Sequence, residues 1–380
     1  MSGLLECFSE IEDPRAGNCT YRVGDLLVLM VAGSLCGLET AVDIADFAAM
    51  RKAVLNQLVP YRRAPSHDTF SRLLRLLDPQ VLAKTFEVFA AAFAKALAAE
   101  GIAPAQNVIA IDGKALRRAY ETGLSHHPPL TVSAFAAGAK LCLAAADVGR
   151  DNEVETALKI VGLLDLTGKI LTADALHCHH RMAEAVVAQK GDYVLALKAN
   201  RPAWFRAAEQ GFASGGKHAA GKHKRAAEET STAHGRHEWR KAEVIAAERP
   251  LTKSHQAFLR ITSKRGTAKP LVRYYLSSRL LSPREALAVV RAHWQIENNL
   301  HWMLDVHLAE DASRARKDNA PANTALIKRI ARNILQTADD NPKRRISQRI
   351  KACNWNNDYL INALTLSLIH ISEPTRLRRI

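Results

Sequence analysis

Asn107–Leu116, NVIAIDGKAL, is the stretch on which the fold turns. Four apolar residues, Val108 to Ile111, run into Asp112 and then at once into Gly113 and Lys114. A short apolar run closed by a turn signal predicts a buried strand. A carboxylate at the end of such a strand is presented at the sheet's edge.

Downstream the pattern continues. Leu130–Phe135 and Lys140–Ala146 predict two further strands, joined by a hairpin through Ala137-Gly138-Ala139. Glu153–Leu164 carries a helical stripe: Val154, Ala157, Leu158, Val161 and Leu164. Lys169–Ala173 predicts a fourth strand, ending in Asp174. A helix from about His179 to Lys190 and a strand at Tyr193–Leu197 follow. An antiparallel run that passes into βαβ crossovers is the ribonuclease-H-like order, not a doubly wound one.

Upstream, residues 1–100 predict an all-helical domain: Tyr21–Leu38, Val42–Leu58, Asp68–Leu77 and Pro79–Glu100, with Ser66 as an N-cap of the third helix. The basic segment Tyr61–Arg72 is a candidate start of a DNA-docking helix-turn-helix. Residues 105–340 form the α/β body, with a β-rich insertion at about 201–280 that includes strands at Trp239–Ala246, Ala257–Thr262 and Leu271–Ser277. Gly211–Glu229, rich in Gly, Lys, His and Ala, is expected to be a basic surface connection. Pro283–His307 and Ala320–Thr337 predict the closing helices, and 341–365 a C-terminal segment. Leu366–Ile380, beginning LSLIHISEPTR, has the character of a translated sequencing adaptor; the genuine chain is expected to stop near Thr365.

Composition narrows the partner. Lys+Arg 53 minus Asp+Glu 38 gives +15, and a chain this basic points to a polyanion, nucleic acid first. Six scattered cysteines without a CxxC imply a reduced compartment. The acidic N-terminus is wrong for a signal peptide, and the apolar run Leu26–Leu38 is too short for a membrane span. The expectation is a cytoplasmic bacterial protein, nucleoid-associated when bound to DNA.

The chemistry-bearing residues fall into one set. With the first and fourth strands adjacent, Asp112 and Asp174 share a pocket. Two carboxylates alone repel, and a divalent ion such as Mg²⁺ removes the conflict. A third carboxylate comes from the late helix, where Glu297 lies just off the apolar face of Ile296, Leu300 and Met303 and is flanked by His293 and His301. A P-loop at Gly211–His218 fails because His218 replaces the metal-binding hydroxyl. His177, His179 and His180 beside Cys178, and the His293, Glu297, His301 stripe, invite a transition-metal site, but with HExxH absent a zinc hydrolase is a distant competitor.

The blocks IAIDGK, DNEV, ILTADALHC, GDYVLALKAN, HGRHEWR and HWQIENNLHWMLDV, in this order, resemble the ISAs-type (H-repeat-associated) insertion-sequence transposases. The DPR and PSHDTFSRLL elements resemble the helical domain that accompanies them, so the likeness spans about residues 8–360. The family is a DDE group with a ribonuclease-H-like core. The resemblance implies that Asp112, Asp174 and Glu297 are the catalytic, metal-binding triad. It implies two Mg²⁺ or Mn²⁺ ions, cleavage and strand transfer of an insertion sequence, double-stranded DNA (terminal inverted repeats and target) as partner, and a homodimer in the DNA complex. A catalytically silent DNA-binding relative is the alternative. ADALH stands where relatives often carry D-A-M, a volume-conserving change. Glu153, His293 and His301 are candidates for supporting the triad. Lys114, Arg117, Arg118, Lys198, Arg201, Arg236, Arg240 and Arg291 are candidates for DNA contact.

Overall fold

The structure is a computed structural model, and it describes residues 3–15, 17, 19–97, 107–119, 128–149, 151–214, 226–233, 236–338, 341 and 343–372. Six helices come first: α1 (Gly3–Ser9), α2 (Val23–Leu35), α3 (Ala41–Met50), α4 (Lys52–Leu55), α5 (His67–Leu76) and α6 (Pro79–Leu97). The single helix expected over Val42–Leu58 is broken at Arg51, whose backbone leaves the helical region at φ −102°, ψ 23°. Thr40 and Asp43 form a capping box at α3, and Ser66 caps α5 through the Thr69 N–H.

Strands β1 (Val108–Ala115), β2 (Leu130–Ala136) and β3 (Leu141–Asp147) form an antiparallel meander. The β2–β3 turn takes its left-handed residue at Lys140, φ 55°, rather than at a glycine. Helix α7 (Glu153–Leu163) starts at Asn152, which caps the Glu155 N–H. It leads to β4 (Ile170–Ala173), α8 (His180–Ala188) and β5 (Asp192–Leu197). Strands β1, β4 and β5 are parallel, as βαβ crossovers demand.

The segment after β5 holds more structure than its composition signals. Pro at the first helical position opens α9 (Pro202–Ala213). Then come β6 (Ala226–Ala233), β7 (Arg236–Ala246), β8 (Ala257–Arg265) and β9 (Leu271–Ser277). The expected surface connection at Gly211–Glu229 is thus a helix end and a strand start, with 215–225 outside the described residues. Strand β9 pairs antiparallel with β5, so the insertion continues the same sheet to nine strands, in the order β3-β2-β1-β4-β5-β9-β8-β7-β6. The left five strands are the ribonuclease-H-like core.

Helix α10 (Pro283–His293) begins with a Ser282–Glu285 capping box. The expected uniform helix to His307 is interrupted: Glu297–His301 is a π turn, and α11 (Trp302–Leu308) follows it. The body closes with α12 (Ala320–Thr337), α13 (Ile346–Trp355) and α14 (Asn357–Ser372). The side chains of Leu366–Ile380, where the adaptor-like tail lies, are outside the described ones. One core joins α1–α6 to α11–α14 and to the sheet face bearing Ala110 and Phe135. It therefore runs across the boundary drawn from sequence near residue 100. A second core, with Ile109, Ile111, Ala157 and Met182, lies on the other face beneath α7 and α8. Among the described residues no helix is long and apolar enough to cross a membrane.

Candidate active site

Parallel pairing of β1 with β4 ends at Ile111 opposite Ala173. The next residue on each strand is a carboxylate, so Asp112 and Asp174 stand side by side where the two central parallel strands part. Strand β1 itself continues to Ala115 on the β2 side, with Asp112 opposite Ser133, so the expected strand end is an end of the parallel ladder only. Asp174 turns straight into a 3-10 segment, and its Oδ1 accepts the Leu176 N–H at 2.9 Å, which fixes its rotamer.

Glu297 reaches the same place from the π turn. His301 Nδ1 lies 3.4 Å from Glu297 Oε2 and 3.7 Å from Asp112 Oδ2. One ligand atom from each of Asp112, Glu297 and His301 falls within 4.8 Å of the others; Asp174 stands beside this group rather than in it. Burial, the Glu297 charge and, more weakly, Asp174 push the Asp112 carboxyl up to about 8. Glu297, half exposed, is held down to about 2, chiefly by its contact with His301. The two belong to one coupled pair with one proton between them, and Asp112 is its protonated member. Burial leads that shift and the Glu297 charge adds to it; a cation held between the two carboxyls would favour the ionised form. Oxygen-rich and with one imidazole, Asp112, Glu297 and His301 form a donor set suited to a divalent cation.

The supporting residues sort themselves around this centre. His293 lies within electrostatic reach of Asp174 and Glu297, its Nδ1 meets Thr172 Oγ1 of β4 at 3.0 Å, and burial, the largest effect, drops its pKa to about 4. Glu153 closes over Gly113, where an added Cβ would lie 2.5 Å from Glu153 Oε1. Its Oε1 is 3.4 Å from His177 Nε2, on a fully buried ring. Sequence singled out His177 only as part of a transition-metal cluster; that it is a buried neighbour of Glu153 carries no local signal.

The basic candidates fare differently. Lys114 corrects the sequence-based expectation of a phosphate contact: it is buried, with its Nζ 2.7 Å from Asp305, 2.9 Å from Asp311 and 3.5 Å from Glu310. Alternation along β1 puts it on the same inward face as Asp112. Arg117 is exposed, 3.6 Å from Asp311, and Arg118 is exposed beside it. Lys198 and Arg201 are exposed in the turn after β5, which Asn200 ties to the Asp174 segment through the Ala175 carbonyl. Arg240 pairs with Glu238, and Arg291 with Glu229. Arg236 opens β7 opposite Ala233; its side chain is outside the described ones.

Arg240 and Arg291 also line a groove of about 970 Å³ between the insertion sheet and α10, which ends at Glu297 and Asn298. Sequence reasoning missed three of its basic walls: Arg265, Lys269 and Arg273. The alternation Leu271, Arg273, Tyr275 along β9 is the signal that places Arg273 on this face. Its guanidinium lies over the half-exposed Trp294 ring, 5.8 Å from the centroid.

A β3-β2-β1-β4-β5 sheet with carboxylates gathered where its central parallel strands part defines the ribonuclease-H-like class. The chain belongs to the DDE transposase family: the Transposase DDE domain model matches residues 103–334, and the DDE_Tnp_1-associated model matches residues 5–90. It is 29% identical over 377 residues to the "H repeat-associated putative transposase YhhI" of Escherichia coli, covering 95% of this chain and 97% of that relative. Protein YbfL of the same organism is 29% identical over the same length. Among solved structures, the piggyBac transposase synaptic complex with hairpin DNA aligns with 100% of this chain and 81% of that one, at 12% identity and TM-score 0.42.

Proposed function

We propose that the protein is a metal-dependent transposase that cleaves and joins DNA at the ends of its own insertion sequence, with Asp112, Asp174 and Glu297 holding the divalent ions, Mg²⁺ or Mn²⁺. The observation that supports this reading is that Asp112 and Glu297 meet, together with His301, where β1 and β4 part, with Asp174 the first residue after β4 beside them. A divalent ion held there supplies a bound water of lowered pKa and a Lewis acid for the scissile phosphate. Asp112 and Glu297 provide the charge that binds it, and Asp174 is kept in place by the Leu176 N–H. His293, half-buried and hydrogen-bonded to Thr172, ties the end of α10, just before the Glu297 turn, to β4.

The groove supports a nucleic-acid track leading to that point. Arg240, Arg265, Lys269, Arg273 and Arg291 line it, and Trp294 offers an aromatic face at its inner end. Basic walls neutralise phosphates, and an exposed aromatic face accepts an unstacked base. Lys198 and Arg201 extend the positive surface on the Asp174 side.

The test is cleavage of DNA carrying the inverted repeats that flank the gene, with Mg²⁺ against a chelator and Asp112→Asn as control. Metal-dependent nicking at the repeat ends, absent in Asp112→Asn, is expected. Equal cleavage by both proteins overturns the assignment. Metal-independent binding of the repeats without cleavage favours a silent DNA-binding relative.

A further inference from the structure

We propose that His301 is a direct ligand, through Nδ1, of a divalent ion shared with Asp112 and Glu297, and that this nitrogen makes the site favour Mn²⁺ over Mg²⁺. The proposal deepens the reading above and rests on it.

Geometry carries the assignment. His301 belongs to the same turn as Glu297, and the π geometry brings both side chains to Asp112. Nδ1 is the ring atom that faces the two carboxylates, at 3.4 and 3.7 Å. Nε2, on the far side, is buried and has no hydrogen-bond partner among the described residues. At 5% exposure the ring is fixed in place with its Nδ1 turned to the two carboxylates. Opposed ligands on one octahedral ion stand about 4.2 Å apart, twice the metal–oxygen distance. The three donor atoms already lie within 4.8 Å of one another, so a small inward closure completes the set. Asp174 stands outside this set of three.

An imidazole in place of a third oxygen changes which ion is bound best. Mg²⁺ is a hard ion that prefers oxygen, whereas Mn²⁺ and the later divalent metals accept nitrogen. The predicted selectivity does not follow from three carboxylates alone.

The direct test is pulsed EPR of the protein loaded with Mn²⁺ alone. A directly bound imidazole gives the Mn²⁺ spin echo a ¹⁴N modulation. That modulation is expected in wild type, unchanged in variants of the exposed histidines away from the site, His180→Asn and His237→Asn, and lost in His301→Asn. Competition between the two ions is expected to show a Mn²⁺ preference that falls by about tenfold in His301→Asn, as loss of one tuned ligand usually costs. Bound Mn²⁺ with no ¹⁴N modulation in wild type overturns the proposal and leaves the transposase reading standing, as does modulation that survives in His301→Asn. The wild-type spectrum needs no folded variant. Failure of Mn²⁺ and Mg²⁺ to bind at all, with Asp112→Asn indistinguishable from wild type, sinks the metal-site reading itself along with the proposal.

Discussion

Two charge clusters sit one turn of the pleat apart on the same face of β1, and they behave in opposite ways. Around Asp112 gather Asp174, Glu297 and His301. Around Lys114 gather Asp305, Glu310 and Asp311, with Arg329 on Glu310 at 2.6 Å and Arg117 at the edge. The second cluster is balanced: three cations meet three carboxylates. Burial alone would lower the Lys114 pKa, yet Glu310, Asp305 and Asp311 outweigh it and raise the value. In the first cluster there is no such balance, and Asp112 is driven to hold a proton. The balanced cluster is complete as it stands and ties β1 to the α11–α12 segment. Arg329 also donates to Ser133, the β2 residue opposite Asp112. Among the described residues, no Lys or Arg forms an ion pair with Asp112, Asp174 or Glu297. A deficit of positive charge at a buried, geometrically converged point separates a site from a scaffold.

The largest effect should come from breaking the unbalanced cluster. Asp112→Asn is expected to lower repeat-end cleavage on the order of 10³-fold. It should at the same time stabilise the metal-free protein. Asp112 has a folded pKa of about 8, above its unfolded value, so its contribution is full below the unfolded pKa and is lost as pH rises through about 8. The neutral amide keeps it at every pH. Thermal melting at pH 8 in chelator should therefore rise for Asp112→Asn, by about 1–2 kcal/mol. A fall in stability would mean the carboxylates are not in electrostatic conflict.

Breaking the balanced cluster should do the reverse. Arg329→Met leaves Glu310, itself 2% exposed, with Lys114 at 3.5 Å as its remaining cation. Removing one partner of a buried pair costs about 3–5 kcal/mol. Urea denaturation of Arg329→Met, Glu310→Leu and the double variant separates the cases. The double variant should recover much of the loss, and additive losses would show that the pair is not coupled.

The difference between the clusters was only half visible in the chain. Asp112 and Asp174 were legible because a buried parallel strand ends in a recognisable way, and the strand order makes the two ends neighbours. Glu297 was legible as a carboxylate just off an apolar helical stripe. Lys114 was not: its charge is plain, but its partners come from a segment almost two hundred residues away, and nothing local says they fold over it. The π turn was equally hidden. One extra residue in a helical turn leaves the apolar spacing of Ile296, Leu300, Leu304 and Leu308 intact, so periodicity reads straight through it. The helix α9 and strand β6 were obscured by composition, since Gly, Lys and His carry little core signal and their contacts come from the sheet they extend.

A buried titratable group with complete partners gives the comparison a scale. His255, 2% exposed, accepts the Leu251 N–H at Nδ1 and donates from Nε2 to the Ala257 carbonyl. Burial lowers its pKa to about 4. The unfolded chain takes up a proton near pH 6.5 while the folded chain refuses it, so stability falls as pH drops from about 6.5 to about 4. The full loss is roughly 3 kcal/mol. The difference in unfolding free energy between pH 7.5 and pH 4.5 should shrink by most of that in His255→Gln. An unchanged difference would place the acid sensitivity elsewhere.

The smallest and most local test is Gly113→Ala, between the two clusters on the strand's opposite face. The new Cβ would stand 2.5 Å from Glu153 Oε1, at the end of a side chain that has room to swing. The cost in stability should be near the low end of overpacking, about 1 kcal/mol. What matters is where Glu153 goes. If its place over Gly113 and beside His177 steadies β1 next to Asp112, Gly113→Ala should weaken Mn²⁺ binding severalfold while leaving the Lys114 cluster untouched. Glu153→Gln, which keeps the shape and removes the charge, should weaken it less. Mn²⁺ binding unchanged in Gly113→Ala would make Glu153 a helix-end charge of α7 and nothing more, and the unbalanced cluster would then end at the four residues that converge on it.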